Sequence, residues 1–172
     1  MTGTADNKTR QYADMDPLAF REAMSRLGAA VHVVATAGDH GRGGVTISAA
    51  CSVTDAPPTV LICLNRSSPV NALVRTNGVF CVNTLPSHEE PLSRAFAGLN
   101  SLPMEDRFNL ADWTTLETGA PSLIGARVSV DCHVSEVTEI GTHTVIFGQV
   151  TAIALGDQTP ALIYLDRNYH AL

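Results

Sequence analysis

The chain has 172 residues, of which 45% are hydrophobic and 16% charged, and its formal net charge is −6. This length suits one domain with a substantial core, and so apolar a composition excludes disorder outside the ends. The negative charge argues against a nucleic-acid binder, and no apolar run approaches the length of a membrane span.

Residues 1–15 have neither an apolar segment nor a cleavage signal. They are read as a disordered N-terminal tail on a cytoplasmic protein, followed by a single domain over 16–172. Asp16-Pro17 opens a helix whose Phe20, Ala23, Met24 and Leu27 form one apolar stripe, with Gly28 as its stop. Ala30–Ala37 is a β-branched strand. The glycine-rich link Gly38–Gly44 lacks both the lysine of a phosphate loop and a following helix, so it is read as a hairpin connection.

Gly44 to Val53 then reads as one strand. Val45, Ile47, Ala49, Cys51 and Val53 alternate with Thr46, Ser48, Ala50 and Ser52, and successive strand residues point to opposite faces. A face made only of small and hydroxyl residues leaves room for something flat. Asp55-Ala56-Pro57-Pro58 turns the chain into a short apolar strand, Thr59–Leu64.

Asn65-Arg66-Ser67-Ser68 leads into Pro69, after which Val70, Leu73 and Val74 recur at helical spacing. Ser68 is a good N-cap and Pro69 suits the first helical position. Free backbone N–H groups, two serine hydroxyls and an arginine make a candidate anion site, for which phosphate is the usual occupant. An ordinary capped helix with a surface arginine is the alternative.

Asn77-Gly78 ends this helix, and Val79–Leu85 is the next strand. Ser87 and Glu90 form a capping-box pattern for a helix running through Phe96, with Gly98 as its stop. Leu99–Pro121 has weak periodicity, carries the lone Trp113 and is read as a long loop. From Ala126 to Val134 even positions are apolar and odd ones polar, the pattern of a half-buried strand. Gly141-Thr142 turns it into a strand over His143–Ala154, and Pro160–Leu165 is the last. Short strands joined mostly by turns predict a closed antiparallel barrel with a few peripheral helices.

Cys51, Cys63, Cys81 and Cys132 all fall inside predicted strands and form no CxxC pair, so they are read as buried free thiols. Cys132 and His133 are adjacent on a strand and face opposite ways, which argues against a metal. There is no Ser–His–Asp order, GxSxG elbow or recognisable pair of catalytic carboxylates. An enzyme without a reactive side chain borrows its chemistry from a cofactor.

Several segments together carry a resemblance. They are Gly44–Ser52, Pro57-Pro58 with Asn65–Ser68, Phe80–Leu85, Phe96-Ala97-Gly98, Met104–Phe108, Gly141-Thr142-His143 and Leu162-Ile163-Tyr164 with Arg167, Tyr169 and His170. In order and spacing the chain resembles the short-chain flavin reductases, the reductase components of two-component flavin-dependent monooxygenases. The resemblance implies a mainly β, split β-barrel fold, a homodimer with flavin at the subunit boundary, and a partner monooxygenase that accepts reduced flavin. It implies FMN or FAD as cofactor and NADH or NADPH as reductant.

On this reading Thr46, Ile47, Ser48, Ala49, Cys51 and Ser52 would wall the flavin ring. Asn65, Arg66, Ser67 and Ser68 would hold ribityl and phosphate oxygens, with Phe96, Ala97 and Gly98 near the ligand. His143 would stand beside flavin and nicotinamide as the catalytic candidate, or be a structural strand-end histidine. Arg167 and Tyr169 would bind the nicotinamide nucleotide, or belong to a solvated tail with Arg167 paired to Asp166. The alternatives are a ferric-chelate or corrinoid reductase on the same fold, and a non-catalytic flavin-binding protein.

Overall fold

The computed structural model describes residues 16–172, so the expected N-terminal tail lies outside the described residues. Asp16 caps α1 (Pro17–Ser25) by accepting a hydrogen bond from Leu18 N at 3.0 Å. No residue of α1 is buried; Phe20, Met24 and Leu27 of the predicted stripe are exposed, as is Leu18.

After α1 come β1 (Ala29–Ala30), β2 (His32–Thr36) and β3 (Gly43–Ile47), with β2 and β3 forming the expected hairpin from His32↔Ile47 to Thr36↔Gly43. The expected single strand over 44–53 is two strands. Ala50 N donates to Ser48 O at 3.1 Å, a local turn that ends β3, and β4 (Ala50–Asp55) begins beyond it. The expected alternation changes parity at the break: Val45, Ile47 and then Ala50 pack against the core, while Ala49, Cys51 and Val53 are exposed.

This break shapes the barrel. With β5 (Pro58–Asn65), β6 (Val79–Thr84), β9 (Val128–Ile140) and β10 (His143–Leu155), these strands form one antiparallel sheet in the order β3-β2-β6-β9-β10-β5-β4. Its two edges, β3 and β4, are separated in the chain only by Ser48 and Ala49, so the sheet must curl until the edges nearly meet. They do not pair with each other, and the predicted closed barrel is split along this line.

α2 (Pro69–Asn77) follows β5 and ends at Gly78 in the left-handed conformation, as expected. The capping box at Ser87 does not form. Ser87–Glu89 is a single 3₁₀ turn, Ser87 N donates to Pro160 O at 2.8 Å, and α3 starts at Glu90 and runs to Phe96.

The predicted long loop contains α4 (Met104–Phe108) and a small hairpin of β7 (Trp113–Thr115) with β8 (Pro121–Leu123). Each piece is too short to show a period in the sequence. They are held by aromatic packing: Phe96, Phe108 and Trp113 meet edge to face with centroids 5.0–5.8 Å apart. The chain ends in the hairpin β11 (Leu162–Leu165) and β12 (Asn168–Ala171), where the sequence suggested one strand and a tail. Asp166 and Arg167 make its turn with φ of 49° and 62°.

β2 divides the core. Val33 and Ala35 pack with Leu85, Leu92, Phe96 and Phe108, while Val34 packs on the other side with Ile62, Val74, Phe80 and Ile146. β9 is buried on both faces over its first half, against the half-buried expectation. Its polar positions are inside: Ser129 Oγ donates to Asn83 Oδ1 at 2.8 Å, and Asp131 accepts from Thr118 N at 2.7 Å. Satisfied polar groups can be buried, and period-two polarity alone cannot reveal them. Of the four free cysteines only Cys81 and Cys132 are buried; Cys51 is exposed on edge strand β4 and Cys63 is partly exposed.

Candidate functional site

Where β3 breaks from β4, the split of the barrel opens as a branched groove. One arm, of about 310 Å³, has Thr46–Ala49 along one side and Asn65, Ser68 and His143 along the other. A second, about 240 Å³, shares Val45 and Ser68 with it and runs past Phe96 and Ala97 to Arg107. A third, about 260 Å³, shares Thr46, Ile47 and Ser48 and leads to Ala97, Leu99, Tyr164 and Tyr169. Beyond Ser48 and Tyr164 a further depression reaches Arg21 and Arg167. Ser48 lies at the junction.

The walls are placed by long-range register. Antiparallel pairing of β10 with β5 sets His143 directly opposite Asn65. Asn65 Oδ1 accepts from Ser67 N at 2.9 Å and Ser67 Oγ at 2.8 Å, an Asx turn that steers the chain into α2. Ser68 caps α2 by position, but its hydroxyl makes no capping hydrogen bond and borders the groove. Thr142 Oγ1 lies 2.9 Å from His143 Nδ1 and so orients the imidazole. α3 clamps the opposite side: Thr46 Oγ1 donates to Ser93 O at 2.7 Å, and Ser93 Oγ lies 2.8 Å from the Tyr169 hydroxyl.

The structure thus brings together Thr46, Ile47, Ser48, Ala49, Asn65, Ser68, His143, Phe96, Ala97 and Tyr169. Thr46 presents its backbone and methyl group, because its hydroxyl is engaged with Ser93. Phe96 is a core residue whose ring is locked against Phe108 and Trp113. Gly98 follows α3 with φ of 80°, where glycine avoids the strain another residue would meet, and does not line the groove. Cys51 and Ser52 lie apart, in a shallow depression with His32 and Thr84.

Arg66 sits beside the groove with its charge engaged. Its Nη2 is 3.1 Å from Glu139 Oε2, and its Nη1 donates to Gly141 O at 3.2 Å. Arg167 pairs with Glu22 of α1 at 2.8 Å, where the sequence suggested Asp166. Sequence reasoning gave no role to Tyr164, although it stacks edge to face on its cross-strand partner Tyr169 at 5.3 Å. It also gave none to Leu99 or to Arg107 as a groove cation. The Tyr164–Tyr169 pair becomes readable only if the turn at Asp166-Arg167 is recognised; Arg107 lies in the Met104–Phe108 segment that carries the resemblance, but nothing in that aperiodic stretch marks it as facing a groove.

Chemically the groove is a slot with a narrow set of reactive groups. Among the described residues no carboxylate lines its three arms, and His143 is their one imidazole. Burial, and then the nearby Cys51, push the Cys63 thiol up, away from the thiolate a nucleophile requires. Among the described residues no three His, Cys, Asp or Glu side chains converge as a metal site would require. What remains suits holding a flat ligand with a polar tail, since small residues, backbone and hydroxyls line a cleft of ordinary ligand-pocket size.

The model of the flavin reductase like domain matches residues 24–172. The chain belongs to this family. A protein from Serratia proteamaculans named FMN reductase (NADH) RutF is 50% identical over 153 residues, covering 89% of this chain and 86% of that one. The solved flavin reductase PheA2 superposes with a TM-score of 0.83 at 27% identity, covering 92% of this chain and 99% of the other. The NADH:FAD oxidoreductase SgcE6 of Streptomyces globisporus C-1027 gives 0.84 at 25% identity, covering 93% and 95%. The mainly β, split-barrel architecture is therefore that of the flavin reductases, and the break at Ser48-Ala49 is where this member carries its groove.

Proposed function

We propose that this flavin reductase-like chain moves a hydride from NADH to FMN or FAD and supplies the reduced flavin to a separate monooxygenase. The observation that carries the reading is the branched groove at Ser48. Its small-residue wall suits a planar ring, one arm carries polar groups and a cation for a phosphate tail, and another carries an aromatic pair for a second planar ligand. Flavin bound there supplies the two-electron acceptor that the side chains lack.

The residues divide the work. Thr46–Ala49 hold the ring through backbone and small side chains, and Asn65, Ser67 and Ser68 face the ribityl chain. His143, oriented by Thr142, positions the nicotinamide at the open side of the groove. Tyr164 and Tyr169 form a stacking surface for the nicotinamide nucleotide, with Arg167, engaged by Glu22, at its far edge. NADPH in place of NADH fits the same arrangement less directly, since Glu22 already neutralises Arg167.

A homodimer fits the exposed apolar face of α1, where Leu18, Phe20, Met24 and Leu27 lie uncovered in the single chain. The cytoplasm fits the four free thiols. Among the described residues no helix is long and apolar enough to cross a membrane.

The test is turnover with purified protein. NADH oxidation should require added FMN or FAD and saturate with flavin. Absence of oxidation with both flavins overturns the reading; tight flavin binding without turnover selects the non-catalytic alternative.

A further inference from the structure

Past the break, where β4 runs free of β3, the split opens a second time: the depression that holds Cys51 and Ser52 is a cavity of about 140 Å³. Val60, Val82 and Val130 line it, and all three belong to or pack against the cluster inside the barrel. Its polar groups are few: the Ser52 and Thr84 hydroxyls, the Cys51 thiol and the His32 imidazole. Burial lowers the His32 pKa to about 4, so the ring is uncharged at neutral pH. Among the described residues no carboxylate, lysine or arginine lines the cavity. His32 Nδ1 is engaged with Thr84 Oγ1 at 3.0 Å, while Nε2 and the Ser52 hydroxyl have no protein partner among the described residues.

We propose that this cavity binds one small uncharged aromatic or heteroaromatic ring through His32 Nε2, and that its occupancy is felt in the flavin groove. An apolar cavity of about 150 Å³ takes up benzene, so the volume fits a single ring. A charge buried here would find no counter-charge, which excludes anionic and cationic ligands. The imidazole nitrogen selects a ring that carries a hydroxyl, carbonyl or ring-nitrogen group, because a purely apolar occupant would leave Nε2 unsatisfied. The link to the groove is short. Ala50 of the cavity directly follows Ser48-Ala49 of the groove wall, and His32 stands opposite Ile47 in the β2–β3 register. A ring held between His32 and β4 fixes the spacing of the two unpaired edges, and with it the wall against which the flavin lies. The coupling rests on the flavin reading above; the site itself does not.

Titration of the protein with phenol, followed by the ring-proton NMR signals of its histidines and by calorimetry, tests the site. Phenol should shift His32 saturably and bind about three- to tenfold more tightly than benzene. Benzoate, the same ring with a charge, should leave His32 unshifted. His32→Leu should bring phenol down to the level of benzene. Ser52→Phe, on the exposed edge strand β4, fills the opening and should abolish phenol binding; it decides the matter should His32→Leu fail to fold. FMN affinity should change about three- to tenfold as phenol saturates and then level off, and FMN should change phenol affinity by the same factor. Both effects should vanish in Ser52→Phe. A shift at His143 in place of His32, phenol binding that survives in Ser52→Phe, or equal binding of benzoate overturns the site. Phenol bound at His32 with FMN affinity unchanged overturns the coupling. Failure of the unaltered protein to bind flavin overturns the functional reading instead, while the His32 shift still decides the site.

Discussion

The Arg66 guanidinium lies 3.1 Å from Glu139, which at the same time accepts Arg75 at 3.1 Å, so one carboxylate joins the start of α2, its last turn and the end of β9. Arg66 N also donates to Thr142 O at 2.9 Å, which ties the Gly141-Thr142 turn to the groove. All three side chains are partly exposed, and exposed pairs contribute only about 0–1 kcal/mol each. Glu139→Gln removes both pairs and should therefore lower stability by no more than about 2 kcal/mol. Its effect should appear in nicotinamide kinetics through His143, and steady-state KM for NADH against the denaturation midpoint would show the split.

Ser48→Leu should give a folded protein that no longer binds flavin, because Ser48 lies where the groove's arms meet. Its far-UV spectrum should be unchanged, since no strand pairs through position 48. Normal flavin titration of this variant would place the ring elsewhere.

His143→Ala should leave stability and flavin affinity close to those of the parent, since the side chain is exposed and bonds only to neighbouring Thr142. Flavin can accept hydride without an enzymic acid, so the loss in reduction rate should be partial, about ten- to a hundredfold. Stopped-flow reduction at saturating flavin over a range of NADH measures this. A lowered melting temperature with both ligands impaired together would instead mark a structural histidine.

Gly44→Ala should destabilise the protein. An added Cβ would meet Phe96 Cε1 at 2.6 Å and Cδ1 at 2.9 Å, and that ring is held against Phe108 and Trp113. Overpacking of this kind costs roughly 1–3 kcal/mol. Because the displaced ring borders the arm of the groove that ends at Arg107, urea midpoint and FMN affinity should fall together.

His32 gives a pH dependence unrelated to the groove's chemistry. Burial lowers its pKa to about 4 from an ordinary 6.5, and Nδ1 lies 3.0 Å from Thr84 Oγ1. The unfolded chain therefore takes up this proton first as pH falls. The stabilisation is present above pH 6.5 and is lost between 6.5 and about 4, amounting to roughly 3 kcal/mol at most. Urea melts at pH 7 and 4.5 should show this component in the parent and not in His32→Asn, whose side chain does not titrate.

Much of the architecture follows from local residues. Period-two patterns mark most of the strands, Asp16-Pro17 and Ser68-Pro69 start helices, and Gly78 stops one, because capping and pleating depend on neighbours within a few positions. The small face of Thr46 and Ser48 is equally local, and it marks the wall of the groove. Where partners are distant in the chain, only the tertiary structure decides. Ser48-Ala49 breaks a strand that the alternation of residue types in the sequence continues, since the curl of the whole sheet determines where each edge ends. Arg66 and Arg107 are alike as sequence, each a basic residue beside polar ones. The folding of β9 alongside α2 gives Glu139 to Arg66 and, among the described residues, no carboxylate to Arg107, and this electrostatic difference depends on long-range packing that no local stretch encodes.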